Sequence, residues 1–233
     1  AWEKAYGVIA DAFIGIEKDM YEQAEEQAGG WKEYKPFVIA KKERESKEIT
    51  SFYLKPEDSK PLPEFQAGQY ISIKVRIPDS EYTHIRQYSL SDMPGKDYYR
   101  ISVKKDGVVS SYLHDGLQEG DSIEISAPAG DFVLDHASQK DLVLISAGVG
   151  ITPMISMLKT SVSKQPERQI LFIHAAKNSE YHALRHEVEE AAKHSAVKTA
   201  FVYREPTEED RAGDLHFHEG QIDQQFLKEL IAN

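Results

Sequence analysis

The spacing of apolar residues changes twice along the chain, and these changes constrain the fold more than any other feature. Residues 2–20 place apolar side chains every three or four positions, which predicts one amphipathic helix. Between residues 35 and 128 the period is two, which predicts half-buried strands. From Asp141 onward, apolar runs alternate with helical stretches, which predicts parallel βαβ units. We therefore expect one helix, then a β domain, then an α/β domain.

The alternating region predicts six short strands separated by turn signals. They lie at residues 36–44, 49–56, 71–77, 85–91, 99–104 and 122–127, and a short helix is predicted at residues 110–117. Six antiparallel strands with one helix are typical of a small closed barrel or a sandwich.

The α/β region begins with the apolar run at residues 142–145, which predicts a strand buried on both faces. Further strands are predicted at residues 169–173 and 197–203, and helices at about 152–162, 180–194 and 226–231. The alternation of strands and helices predicts a parallel sheet. Only three parallel strands are visible, which is few for such a sheet.

Composition excludes several classes of function. Lys and Arg number 28 and Asp and Glu number 39, so the net charge of −11 argues against a dedicated nucleic-acid or anionic-membrane binder. No apolar run approaches the roughly 20 residues that a bilayer span needs. The absence of cysteine excludes disulfides, thiol catalysis and iron–sulfur clusters, and it is compatible with the cytoplasm, which is the expected location.

The sharpest local motif joins the first parallel strand to the next helix. It comprises Gly148, Val149, Gly150, Ile151, Thr152 and Pro153. Glycines let a backbone approach a ligand closely, and a helix N-terminus presents free N–H groups to a phosphate. Proline suits the first helical turn, where its missing N–H costs nothing. The motif is either a tight βα turn or, as its strand–turn–helix context favours, a phosphate cradle.

Two features of the β domain also suit a phosphorylated planar ligand. On the fourth strand, Arg86 and Tyr88 share a face, with Gln87 and Ser89 opposite. A guanidinium grips phosphate and a tyrosine ring stacks on planar groups, although the same residues also suit an ordinary half-exposed strand. At the start of the short helix, Ser110 or Ser111 is expected to be the N-cap, or the helix start is a second anion site.

Histidines and acidic runs carry no clear chemistry. His182 and His186 are four apart on a predicted helix, and His216 and His218 flank Phe217, but neither pair has an evident third ligand. We expect solvated or capping histidines and no metal site. The run at residues 187–190 is interpreted as a solvated helix face.

Taken together, these motifs resemble the ferredoxin–NADP reductase superfamily, and most closely its flavohemoglobins, which join a globin to such a reductase. The similar stretches are residues 1–7, 29–31, 49–52, 68–70, 86–90, 127–132, 145–154 and 174–176. The resemblance spans the whole chain. It implies an FAD-dependent oxidoreductase in which electrons pass from NAD(P)H through FAD to haem, supporting oxidation of nitric oxide to nitrate by dioxygen.

The resemblance also implies roles for individual residues. Arg86 holds the FAD pyrophosphate, Tyr88 packs on the flavin, and Ser89 reaches the N5 region. The wider FAD set is Tyr70, Arg86, Gln87, Tyr88, Ser89, Val109, Ser110 and Ser111. The motif at residues 148–153 cradles the dinucleotide. Glu17 matches a globin-helix glutamate that supports the haem-ligating histidine, a role that is latent without its partners.

The expected domains are a last globin helix at residues 1–28, a linker at 29–35, an FAD-binding barrel at 36–138 and an NAD(P)-binding domain at 139–233. The family continues into a further strand and a terminal Cys-Phe-Gly-Pro segment. We therefore expect a piece of a longer protein whose globin, with haem b, is its partner, and which by itself oxidises NAD(P)H poorly. A stand-alone flavin or ferredoxin reductase and a non-catalytic nucleotide-binding module are the alternatives.

The choice between NADH and NADPH depends on charge after the second parallel strand, since a 2′-phosphate needs positive partners there. Lys177 and Arg204 are the candidates, but no arginine-rich cluster follows residues 174–176. The sequence therefore favours NADH.

Overall fold

A computed structural model describes residues 2, 6–10, 12–15, 29–78 and 80–231. Residues 6–10 and 12–15 are helical, as the sequence predicts. Their apolar side chains are exposed, with Trp2 at 88% and Phe13 at 64%. The described part of this helix therefore does not bury its apolar stripe against the rest of the chain.

The first sheet contains six antiparallel strands in the described residues, as predicted. They are β1 Tyr34–Arg44, β2 Ile49–Pro56, β3 Tyr70–Arg76, β4 Thr83–Ser89, β5 Tyr99–Lys104 and β6 Ser122–Ser126. Their order is β4-β3-β6-β1-β2-β5. The end strands meet through a bridge between Leu90, which follows β4, and Ile101 of β5. The sheet thus closes into a barrel around a core that includes Phe37, Ile71 and Tyr99.

The short helix between β5 and β6 differs from its prediction. It comprises α1, Val108–Ser111, continued by a π-helical turn at Tyr112–Gly116. The N-cap is Gly107, so the expected Ser110 or Ser111 cap is wrong. The Ser110 hydroxyl instead accepts hydrogen bonds from the backbone N–H groups of Asp106 and Gly107, at 3.0 and 2.8 Å, three or four residues back. The serine closes the helix start from inside its first turn.

The second sheet is parallel, as predicted, with helices packed on it. Its elements in chain order are β7 Leu142–Ala147, α2 Ile151–Lys164, β8 Ile170–Ala176, α3 Arg185–Ala191, β9 Val197–Tyr203, α4 Glu208–Ala212, β10 His218–Glu219 and α5 Gln224–Ile231. The order is β10-β9-β8-β7. A separate apolar core joins the inner face of α2, through Ile155 and Leu158, to Phe172 on β8.

Three predictions about this region are wrong. A fourth, very short parallel strand, β10, is present among the described residues, and it includes His218. The first strand is not buried on both faces, because Val143 and Ile145, which share one face of β7, are exposed. The helix expected at residues 180–194 begins only at Arg185, because Leu184 adopts a left-handed conformation with φ of 57°.

Candidate functional site

Strand β4 carries the predicted Arg86 and Tyr88 on one face. The register pairs Tyr88 with Ile71 and Arg86 with Ile73, and directly paired residues of antiparallel strands point the same way. Tyr88 is half-buried against the barrel core, whereas Arg86 is exposed. Burial raises the pKa of the Tyr88 phenol, and the nearby Arg86 guanidinium partly offsets this. The tyrosine is thus held in place beside an accessible positive charge.

The opposite face of β4 brings Ser89 beside Tyr70, with which it is paired. The Tyr70 backbone is fixed by two hydrogen bonds of 2.9 Å with Ala129, one in each direction. Gly130 has φ of 111°, and a side chain there would collide with the Tyr70 ring. Gln87 is exposed on this same face. In the described sheet β4 itself pairs with β3, and the barrel closes onto β5 at Leu90, just beyond β4, so a ligand along the other edge of β4 can reach residues of both faces.

The start of α1 offers its backbone rather than its side chains. Val109 is 3% exposed and belongs to the barrel core, and the Ser110 hydroxyl is occupied by the backbone of Asp106 and Gly107. The Ser111 N–H donates to the Gly107 carbonyl at 2.8 Å. The first N–H groups of any helix have no acceptor within the helix itself. The unbonded backbone N–H groups of the first turn of α1, rather than its side chains, are therefore available to an anion.

The glycine motif forms a short 3₁₀ turn, Gly148–Gly150, that leads directly into α2. Gly148 has φ of 51°, which side-chain-bearing residues rarely adopt. Gly150 has ordinary helical angles, and a Cβ on either glycine would meet nothing within 4 Å. Neither the backbone nor the packing of the described chain requires glycine at position 150. Open space beside the turn therefore suits a ligand that approaches the backbone closely.

The remaining residues of the motif stabilise this turn by packing and by a hydrogen bond. Ile151 is buried in the second core, and Pro153 stands in the first turn of α2. The buried Thr152 hydroxyl donates to the Val149 carbonyl at 3.0 Å, so it locks the turn. Val149 is 36% exposed beside the glycines.

The two predicted binding sites, one on β4 and one at the glycine turn, are connected through β5. Cα atoms of the glycine turn lie within 8 Å of Cα atoms of β5. Strand β5 bridges Leu90, the residue that follows Ser89. The glycine turn therefore lies against the strand that bridges the residue after β4, where the barrel faces the parallel sheet.

The predicted histidine pair has a different environment from the one expected. His182 precedes α3 and is 3% exposed, whereas His186 is 83% exposed in its side chain, so the two do not share a helix face. The His182 ring lies 4.6 Å from that of His174, which is fully buried. Burial lowers the pKa of His174 to about 4 and that of His182 well below its usual range. Within the described residues no group of three metal-binding side chains has suitable geometry.

Sequence reasoning missed a cluster of charges between the two sheets. Arg100 of β5 pairs with Glu187 of α3, and Lys159 of α2 lies 2.5 Å from both Glu187 and Asp92. The interpretation of residues 187–190 as a solvated face is wrong for Glu187, and Val188 is fully buried. No local motif signals this cluster, because its members lie far apart in sequence. Glu17, the predicted haem-side residue, lies outside the described residues.

Comparison with known protein families identifies two modules. Residues 36–134 match the oxidoreductase FAD-binding domain, and residues 144–233 match the oxidoreductase NAD-binding domain. The fold and site therefore define an oxidoreductase with an FAD-binding barrel and an NAD-binding α/β domain.

Individual relatives narrow this class. The chain is 50% identical over 240 residues to a flavohemoprotein of Halalkalibacterium halodurans and 53% identical over 238 residues to one of Oceanobacillus iheyensis, with 99% of this chain covered in each case. It also matches the solved flavohem-like FAD/NAD-binding domain of a Vibrio cholerae nitric oxide dioxygenase, with a TM-score of 0.74, 36% identity, and coverage of 82% and 81% of the two chains. The chain belongs to the flavohemoprotein family, and it corresponds to the reductase module. It spans 58% of the length of the two flavohemoproteins.

The residues present fit the two cofactors of this family. An exposed arginine and a half-buried tyrosine stand together on β4, and Val109 at the start of α1 packs in the same barrel core as the tyrosine, which suits an FAD diphosphate and ring. The glycine turn leaves open space beside a helix N-terminus, which suits the diphosphate of NAD. No helix among the described residues is long and apolar enough to cross a membrane.

Proposed function

We propose that the chain takes a hydride from NADH at the glycine turn and passes the electrons, through FAD held on the barrel, to the haem of a globin domain. The observation that carries the proposal is the proximity of the glycine turn to β5, whose partner Leu90 adjoins the predicted flavin residues. FAD, when bound, connects a two-electron donor to a one-electron acceptor.

Each residue has a role that follows from its position. Arg86 forms a charged fork for the FAD diphosphate, and Tyr88, fixed by its half-buried ring, supports the flavin. Ser89 lies on the opposite face of β4, and Tyr70 is its paired neighbour on β3; both contact the flavin from that side. Backbone N–H groups at Val109 and Ser110 add to the diphosphate site.

The NADH preference follows from charges beyond the second parallel strand. The two cations that would attract a 2′-phosphate are already paired with Glu205. Its carboxylate lies 3.2 Å from Lys177 and 3.2 Å from Arg204. An acidic residue in this region repels a 2′-phosphate and tolerates a 2′-hydroxyl. NADPH is therefore the poorer donor.

For the whole protein we propose nitric oxide dioxygenation to nitrate, with the globin as partner, in the cytoplasm. Its similarity to flavohemoproteins supports this. The proposed domain boundaries are 36–138 for the barrel and 139–233 for the NAD-binding domain, with residues 1–28 as a globin helix, 29–35 as a linker and Glu17 as a haem-side residue.

The test is anaerobic mixing of the FAD-loaded chain with NADH while flavin absorbance near 450 nm is followed, the region where flavins absorb (about this wavelength). Bleaching that is faster with NADH than with NADPH is expected. Because the chain by itself is expected to oxidise NAD(P)H poorly, slow bleaching supports the proposal, whereas a chain that does not bind FAD, or whose flavin NADH does not reduce at all, would refute it. Flavin reduction that never reaches an added globin domain would instead favour a stand-alone reductase.

A further inference from the structure

The charge cluster between the barrel and the parallel sheet joins the two proposed binding sites mechanically. On the barrel side, Asp92 lies three residues beyond Ser89. On the other side, Ser156 and Lys159 lie on one face of α2, whose N-terminus carries the glycine turn. The Ser156 hydroxyl donates to the Asp92 carbonyl at 2.7 Å, and the Lys159 ammonium contacts the Asp92 carboxylate at 2.5 Å.

The barrel end of this connection is rigid. Asp92 is 4% exposed, and its carboxylate also accepts a hydrogen bond of 2.9 Å from the Tyr98 hydroxyl. The preceding Ser91 donates its N–H to the Arg100 carbonyl at 2.8 Å, and its hydroxyl is bonded to that of Ser102 at 2.8 Å. Burial alone would raise the pKa of Asp92, but Arg100 and Lys159 outweigh it and lower the pKa. Asp92 is therefore an anion at neutral pH.

Helix α3 closes the cluster from the third side. Glu187 accepts from Arg100, including a contact of 3.2 Å at Nη2, and from Lys159 at 2.5 Å. Arg100 is 3% exposed, so its charge depends on these carboxylates for compensation. One carboxylate thus holds together a barrel strand and the helix that begins at the dinucleotide site.

The distances involved are short. Ser156 is five residues after the first residue of α2, or roughly 7.5 Å along the helix axis. Asp92 is three residues from Ser89, at most about 10 Å of extended chain. Both proposed sites therefore lie within about 10 Å of chain from the cluster.

We propose that Glu187, with Ser156, is a positioning residue that fixes the nicotinamide relative to the flavin by fixing the two domains relative to each other. This inference rests on the proposed function. Hydride transfer is steeply sensitive to placement, since an error of 1 Å can cost about 100-fold in rate. Loosening the cluster should slow the transfer while leaving each separate binding site intact.

The experiment compares Glu187→Gln with Glu190→Gln. Both residues lie on α3, but within the described part of the chain the ion pairs of Glu190 are with exposed groups, Lys193 and His186. Because the chain has no cysteine, nitroxide labels can be attached at Gln118→Cys in the barrel and Ser195→Cys in the α/β domain without background labelling. Pulsed electron resonance then gives the distribution of distances between the domains, with no cofactor or activity required.

Glu187→Gln is expected to broaden this distribution and to slow flavin reduction at saturating NADH at least tenfold. The affinities for FAD and NADH should change less than threefold, and Glu190→Gln should match the unsubstituted chain in every measurement. An unchanged distance distribution, or an unchanged rate, overturns the inference. If Glu187→Gln does not fold, Ser156→Ala decides the same question, because it removes a neutral contact across the same interface.

The two hypotheses fail separately. If NADH does not reduce the flavin of the unsubstituted chain, the proposed function is wrong, whereas the distance measurement still tests the role of the cluster in domain orientation. If NADH reduces the unsubstituted chain and Glu187→Gln behaves identically, only the positioning role is wrong.

Discussion

The buried pair His174 and His182 predicts that the α/β domain loses stability in mild acid. The pKa of folded His174 is about 4, against about 6.5 for histidine in an unfolded chain. At a pH between these two values, His174 is protonated in the unfolded state and neutral in the folded state. Acidification therefore favours unfolding. The stabilising contribution is complete above the unfolded pKa and is lost as the pH falls below it.

The size of the effect follows from this difference in pKa. Between about pH 7.5 and pH 5, proton linkage at His174 alone removes about 2 kcal/mol of unfolding free energy. His182 adds in the same direction, because burial, His174 and Arg185 all lower its pKa. The hydrogen bonds of the two rings explain this. The Nδ1 atom of His174 is hydrogen-bonded to the Ser146 hydroxyl, and that of His182 to the Tyr203 hydroxyl. The Nε2 atom of each ring is buried and has no acceptor for an added proton.

Hydrogen exchange of the amides of β8 and β9, corrected for its intrinsic pH dependence, measures the stability of this domain. Tryptophan fluorescence does not, because both tryptophans, Trp2 and Trp31, lie outside the α/β domain. His174→Asn is expected to reduce the loss between about pH 7.5 and pH 5 by about 2 kcal/mol. The exposed His194 serves as the control, and His194→Asn should leave the loss unchanged. An equal loss in His174→Asn and in the unsubstituted chain would refute this reasoning.

The remaining predictions concern ligands and the N-terminal helix. Arg86→Ala should weaken FAD binding by about 1.5–3 kcal/mol, whereas Arg44→Ala on the same barrel should not, and equal affinities in an FAD titration would remove Arg86 from the site. Gly150→Val should abolish NADH binding in calorimetry without lowering the melting temperature, because the added side chain enters open space; retained binding would place the dinucleotide elsewhere. Glu205→Ala should raise kcat/KM for NADPH relative to NADH severalfold, and an unchanged ratio would show that Glu205 does not set the preference. Residues 6–10 and 12–15 should exchange their amide hydrogens rapidly, and strong protection in a dilute monomer would show that the helix docks on the reductase.

Local sequence signals predict the bounds of a strand correctly where turn residues flank it on both sides. The predicted bounds of β2, β5 and β9 agree with the structure, because each alternating or apolar run is flanked by turn residues. The prediction for β4 is shifted by two residues, 85–91 against Thr83–Ser89. There the chain leaves β3 and crosses to β5 through Leu90. The alternation of residues 85–91 continues through this crossing, so it alone could not indicate where the chain leaves β3.

The predicted helix at residues 180–194 failed for a related reason. Ala183 and Leu184 are buried in the core of the α/β domain, at 1% and 2% exposure. Their burial accompanies the left-handed break at Leu184, although nothing in its side chain favours that conformation. The Asn178 side chain, which accepts from the Glu180 N–H at 3.2 Å, caps a separate 3₁₀ turn and was the available signal.

The candidate site shows the same division. The sequence predicts Arg86 and the glycine turn as ligand-binding residues, because a phosphate site requires particular residue types in a short stretch. The cluster of Asp92, Lys159 and Glu187 was not found, since Arg100 and Glu187 are 87 residues apart in sequence. A charged residue on a predicted helix is interpreted as solvated unless its ion-pair partner is known. For Glu187 that partner becomes apparent only in the folded structure.

Exposure distinguishes the residues that we propose face the ligands from those that we propose hold the two domains in place. Arg86 is exposed and the glycine turn borders open space, so both remain available to a ligand. Arg100 and Ser156, at 3% and 0% exposure, have their hydrogen bonds satisfied within the chain. A site organised before its ligand arrives needs both properties, because the rigid part spares the reacting groups the cost of ordering. Substitutions at Arg86 should therefore alter affinity with little effect on stability, whereas those at Arg100 should alter domain orientation and stability together.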